Sequence, residues 1–243
     1  MKPAAEKPVV EAPEEPMTAD GALAMLREGN GRWVADKEEN PSIGPSRRYR
    51  LSEKGQKPFA AILTCADSRL PVERLFDRGV GELFVVRVAG NIAGTSETGT
   101  MEYGIEHLHI PLLVVMGHTK CGAVAAAASG ADVHGALGEL VSNITPAVDR
   151  AKRNNPDADA TQIASLAVKE NVWQSITDLL RHSPEVRVAA SKGEVRIVGA
   201  VCDIATGKVE WMGEHPWQSE LIEAFGNRAR STVPATAGVH EEK

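Results

Sequence analysis

Short apolar runs that end on chemically capable side chains, and alternate with helix-length stretches, limit most narrowly how these 243 residues can fold. Phe59-Ala60-Ala61-Ile62-Leu63-Thr64 leads into Cys65, and Leu112-Leu113-Val114-Val115-Met116-Gly117 leads into His118-Thr119-Lys120-Cys121. Uninterrupted runs of this length suit strands covered on both faces. Strands are expected at 58–64, 82–88, 111–117 and 194–201, and a turn at Thr206-Gly207 leads to an antiparallel hairpin partner at 208–212. Thr18 is placed to cap a helix over about 20–37, with Leu23, Leu26 and Trp33 on one face and a bend or break at Gly29 and Gly31. Further helices are expected from Pro71 to Phe76, from a cap at Thr95 or Ser96 to His107, over 123–128, 135–153 and 160–182, and from Pro216 to Asn227. The alternation predicts an α/β fold: a mostly parallel β-sheet of four strands plus an antiparallel edge strand, flanked by helices, with an N-terminal helical arm. Residues 17–230 read as a single domain, 1–16 as a flexible Pro/Ala/Glu-rich lead-in and 231–243 as a loose tail.

In such sheets ligands bind beyond the carboxyl ends of the strands, and both polar motifs fall at that edge. Two thiolates and one imidazole, from Cys65, His118 and Cys121, suit Zn²⁺ and leave a fourth tetrahedral position open. A redox couple or two inert thiols is the other reading of the cysteines. Asp67 and Arg69 follow Cys65 at two-residue steps; a bidentate Arg69 would keep Asp67 ionised and off the metal. A surface ion pair or a helix cap is the plainer alternative. With only three cysteines, and Cys202 read as buried core, no disulfide framework identifies the redox compartment. The four prolines of the lead-in fit a tether behind a removed signal peptide as well as a cytoplasmic tail, so cytoplasm and periplasm both stay open. Thirty-three acidic against 27 basic residues give a net charge of −6, which offers no reason to expect nucleic acid or an anionic membrane as partner. No apolar run approaches bilayer-spanning length. Arg47-Arg48-Tyr49-Arg50 reads as a solvated face or a contact to a partner subunit rather than a phosphate site.

Cys65-Ala66-Asp67-Ser68-Arg69, Gly81-Glu82-Leu83-Phe84-Val85-Val86-Arg87 and Gly117-His118-Thr119-Lys120-Cys121-Gly122 together resemble a β-class carbonic anhydrase, most specifically between Gln56 and Cys121. The resemblance implies Zn²⁺ on Cys65, His118 and Cys121, a catalytic Asp67–Arg69 dyad, and reversible hydration of CO₂ to bicarbonate and a proton. It implies a homodimer as the smallest unit, which can pair into a tetramer, with the active-site cleft at the subunit interface. Plant-like members line the CO₂ pocket with residues matched here by Gln56, Phe84 and Tyr103, and Ala89 stands where Val is common. A small apolar pocket suits a linear molecule that makes weak hydrogen bonds.

A bicarbonate-regulated subgroup carries a Trp and a Tyr where this chain has Ile62 and Cys202, although Arg87 matches that subgroup's Arg. Inhibitory bicarbonate binding is therefore not expected here. Two thiolates cancel the charge of a divalent ion, so its water should be harder to deprotonate than on a three-imidazole site. The expectation is attack of zinc-bound hydroxide on CO₂, with activity rising into the alkaline range. No residue stands out as proton carrier, though His107, His109 and His134 are candidates. Hydrolysis of CS₂ or COS on the same scaffold is an alternative, as is a non-catalytic zinc-stabilised interaction module.

Overall fold

The computed structural model describes residues 16–39 and 43–231; most of the lead-in and of the tail named above lies outside them. Five strands, β1 (Ala60–Cys65), β2 (Leu83–Val88), β3 (Leu112–His118), β4 (Arg196–Cys202) and β5 (Val209–Gly213), form one sheet in the order β2-β1-β3-β4-β5. The first four run parallel and β5 returns antiparallel beside β4. Every residue of β1 and β3 is buried, as continuous apolar runs at the centre of a doubly covered sheet require. Apart from Arg196 at the start of β4, the edge strands β2 and β5 carry the partly exposed positions.

Ten helices flank the sheet among the described residues: α1 (Ala19–Val34), α2 (Pro45–Lys54), α3 (Val72–Leu75), α4 (Thr95–Glu106), α5 (Gly122–Ser129), α6 (Gly135–Ser142), α7 (Thr145–Asn154), α8 (Ala160–His182), α9 (Pro184–Ser191) and α10 (Gln218–Ser231). Thr18 caps α1 as expected, its Oγ1 accepting from the Gly21 N–H at 3.1 Å. The expected bend does not occur, because α1 runs unbroken through both glycines. Gly29 is there for close approach: a Cβ would stand 1.8 Å from the Phe76 carbonyl oxygen. The single helix expected over 135–153 is two, divided at Asn143-Ile144 just ahead of Pro146. The cap of α4 is Gly94 in extended conformation, not Thr95 or Ser96. Two helices escape the periodicity. α2 buries none of its residues and α9 is only eight residues long, announced by Ser183, which accepts from the Val186 N–H at 3.0 Å, and by Pro184.

The longest helix, α8, starts from a capping box in which Asp159 and Gln162 exchange two 2.8 Å bonds. It lies in a furrow over β3 and β4 made by two missing side chains. A Cβ on Gly117 would meet Val172 at 2.9 Å, and one on Gly199 would meet Val172 and Trp173 at 2.9 and 2.8 Å. That seating brings the middle of α8 to the carboxyl edge of the sheet.

α1 is tied to the rest by buried Asn30, whose Nδ2 donates to the carbonyls of Leu75 (3.2 Å) and Gly207 (2.8 Å) and whose Oδ1 accepts from Val209 N–H (2.9 Å). Asn30→Leu leaves three backbone groups without these partners. The expected cost is about 3 kcal/mol, read as a fall of roughly 6–12 °C in melting temperature. An unchanged melt would mean that α1 is held without these three bonds, by its apolar packing and its other polar contacts, such as the Arg32–Asp77 ion pair.

Candidate metal centre and active site

β1 ends on Cys65 and its parallel neighbour β3 ends on His118, so strand pairing alone sets a thiol beside an imidazole at one sheet edge. Cys121 stands at the N-cap of α5, one turn past His118. The sulfurs of Cys65 and Cys121 are 4.0 Å apart, and one ligand atom from each of the three residues falls within 4.8 Å of the others. That separation excludes a disulfide, whose sulfurs sit about 2.05 Å apart. It matches two thiolates held about 2.3 Å from one tetrahedral ion, which stand ~3.8 Å from each other. All three residues are buried.

The donor set is prepared for a cation. His118 Nδ1 lies 2.9 Å from the Thr119 carbonyl, which fixes the proton on Nδ1 and leaves the Nε2 lone pair free. Nε2 is buried and has no hydrogen-bond partner among the described residues. A hydrogen bond between the two sulfurs makes Cys65 and Cys121 share one proton. It draws Cys65 well below an ordinary thiol and, together with burial, raises Cys121 far above one. A divalent cation is the group that lets both sulfurs ionise together. Cys65 also accepts from the Gly90 N–H at 3.3 Å.

Beside the trio, Arg69 binds Asp67 in a fork, Nε to Oδ1 at 2.9 Å and Nη2 to Oδ2 at 2.7 Å, and its backbone N–H adds a third bond to Oδ1 at 3.0 Å. These bonds hold the Asp67 carboxyl well below the usual carboxylate range. Arg69 Nη2 also reaches the Lys120 carbonyl at 3.3 Å, tying the dyad to the second ligand loop. Asp67 Oδ2 stands 3.8 Å from His118 Nε2, close to the trio and outside hydrogen-bond range.

A family model for carbonic anhydrases matches residues 60–209, a span holding the trio and the dyad. A carbonic anhydrase of Mycolicibacterium smegmatis is 34% identical over 193 residues, 78% of this chain and 91% of its own. One of two tetrameric β-carbonic anhydrases from the ascomycete Sordaria macrospora superposes with a TM-score of 0.63 at 25% identity, over 79% of this chain and 96% of its own. The chain belongs to the β-class carbonic anhydrase family. A Coccomyxa β-carbonic anhydrase shares the fold at TM-score 0.66 and 23% identity, over 87% of this chain and 99% of its own.

The four pocket positions expected of a β-class carbonic anhydrase do not gather within one chain. Ala89 is half-buried at the site, next to Gly90. Gln56 is exposed on the loop between α2 and β1. Phe84 pairs with Ala61, four positions before the Cys65–Val88 pair, which sets it about 13 Å back along the strands. Tyr103 on α4 accompanies Phe84, with ring centroids 6.2 Å apart, and is 48% exposed. The candidate proton carriers His107, His109 and His134 are all exposed, His107 with its ring tilted against Tyr103 at a centroid distance of 5.1 Å. Cys202 is buried opposite His118 in the β3–β4 register, stays outside the trio, and burial pushes its thiol up to about 11.

Two supports of this carbonic anhydrase centre went unread in the sequence. Arg87, read there only as a match to an anion-binding Arg, donates to the carbonyls of Cys65 (3.2 Å) and Asp67 (2.6 Å) and so clamps the loop that carries both. A lone cation near the end of the apolar run Leu83–Val88 was the available signal. Gly90, at φ +71°, turns its N–H onto the Cys65 sulfur; the Ala89-Gly90-Asn91 turn was visible, its target was not.

Proposed function

We propose that the protein catalyses the zinc-dependent, reversible hydration of carbon dioxide to bicarbonate and a proton. One observation carries the reading: a buried Cys/His/Cys trio with an unpartnered imidazole nitrogen, flanked at 3.8 Å by a carboxylate that an arginine holds ionised. A structural site needs no such dyad at its open side. Cys65, Cys121 and His118 Nε2 are the residues that would hold the ion, residues 17–230 forming one enzyme domain around it. When bound, zinc supplies a Lewis acid that lowers the pKa of a water molecule.

The chain's own residues supply the rest. Asp67 Oδ2 accepts a hydrogen bond from the hydrating water and orients its lone pair. Arg69 keeps Asp67 charged and turned aside, so the carboxylate does not take the fourth ligand position. Ala89 lines the near wall. Gln56, Phe84 and Tyr103 reach CO₂ from a second copy of the chain, a reading supported by the register that sets Phe84 back from the trio, by Tyr103 beside it and by the exposed ring of Tyr103. Gln56 then donates to the developing bicarbonate. A dimer is the smallest active unit, and a tetramer is two of them.

The test measures zinc content and CO₂ hydration together across pH. One zinc per chain and turnover rising into the alkaline range are expected, since two thiolates blunt the ion's charge. Bound zinc with no turnover would make the protein a zinc-stabilised module, and turnover of CS₂ or COS alone would replace the substrate. The shared pocket has its own test: Phe84→Ala and Asp67→Asn proteins, each impaired alone, regain activity when refolded together, because a mixed dimer contains one intact site. No recovery would put the pocket inside a single chain.

A further inference from the structure

Asn171 lies in the middle of α8, 1% exposed, where the apolar residues Val168 and Val172 face the sheet. A buried amide among apolar neighbours is unfavourable unless its polar atoms are used. Its Oδ1 has no hydrogen-bond partner among the described residues, while its Nδ2 makes one short bond, 2.7 Å to the carbonyl of Gly90, 81 residues away in the chain. Gly90 in turn aims its own N–H at the Cys65 sulfur at 3.3 Å. With φ at +71° and no side chain, this residue does not fix its peptide planes by its own sterics. Its carbonyl is fixed from outside, by Asn171.

We infer that Asn171 is a positioning residue for the metal centre: by anchoring the Gly90 carbonyl it aims a backbone N–H at Cys65 and limits the charge that sulfur donates to the ion. An N–H bonded to a ligating sulfur withdraws electron density from it, as second-shell groups do at metal sites generally. The furrow at Gly117 and Gly199 allows the contact, because it lets α8 approach closely enough for an asparagine to reach the loop.

The inference rests on Cys65 being a metal ligand, and the experiment separates the two. The full-length protein is loaded with Co²⁺, whose sulfur-to-metal charge-transfer band reports thiolate ligation. In Asn171→Leu, which keeps the branched shape but lacks the donor, the band should move to longer wavelength as the sulfur regains electron density, and competition with a chelator should show metal affinity about tenfold lower because the Gly90 N–H no longer holds Cys65 in place. Ser175→Ala is the control. Ser175 is also 1% exposed, and its Oγ donates 2.9 Å to the Asn171 carbonyl without joining the path to Gly90, so its band and affinity should stay with the parent. Should Asn171→Leu not fold, Asn171→Ala gives the same readings. An Asn171 variant with the parent's band and affinity overturns the inference, as does Ser175→Ala shifting equally. A parent protein without the band overturns the metal-centre reading and this inference with it.

Discussion

Cys65→Ser protein is expected to purify without stoichiometric metal and without CO₂ hydration, yet folded. A serine hydroxyl does not ionise in the range where a thiolate forms, so the trio loses one anionic donor and the fit to zinc. The backbone asks nothing of the sulfur, since β1 pairs with β2 and β3 through its peptide groups and serine is nearly isosteric. The Gly90 N–H, which now faces the sulfur, can donate to the hydroxyl instead. Metal analysis, hydration assays and circular dichroism on one preparation decide the matter. A Cys65→Ser protein holding one zinc per chain and turning over would remove Cys65 from the ligand set.

Asp67→Asn should behave in the opposite way, keeping its metal and losing turnover by about a hundredfold. The amide has the carboxylate's shape without its charge, so it cannot accept the Arg69 fork at both oxygens. One of its ends becomes a donor facing another donor. Stability should hardly change. Arg69 is half-exposed, its side chain 52% open to solvent, and an ion pair screened to that degree contributes little to stability. The pH sign follows from the direction of the shift. A carboxyl held below its usual range in the fold stabilises it above the ordinary carboxylate range, and that contribution fades as pH falls through the lowered value. Asp67 is therefore charged throughout neutral and alkaline conditions, and its titration should not shape the activity profile there. Full turnover in Asp67→Asn across pH would assign the orientation of water to another group.

The central strands and the ligand trio were legible because one physical fact produces both. Strands covered on both faces are apolar almost throughout, Thr64 spending its hydroxyl on the Met116 carbonyl, so Cys65 and His118 mark where the chain leaves the sheet, and parallel pairing places those exits side by side. α8 was legible down to its ends, since Asp159 and Gln162 announce its start. α2 was not, because a helix that buries nothing leaves no apolar period to find. The uninterrupted course of α1 depends on how near Phe76 comes to Gly29, a tertiary distance with no local trace. The spacing of Phe84 and Tyr103 along the chain likewise carries no information about how far the sheet register sets them from Cys65. Arg87 and Asn171 were missed for a related reason. Each acts on the backbone of a distant loop, and only the folded register brings them within reach.

The trough over β3 and β4 that seats α8 has a consequence for how this protein tolerates change. A helix lodged against two bare backbones cannot slide or roll without lifting clear, so its height above the sheet is set by two hydrogen atoms. A single methyl group at Gly117 or Gly199 would act as a shim, prising the helix outward. The damage would then surface as poor metal retention in a protein whose ligands are all intact.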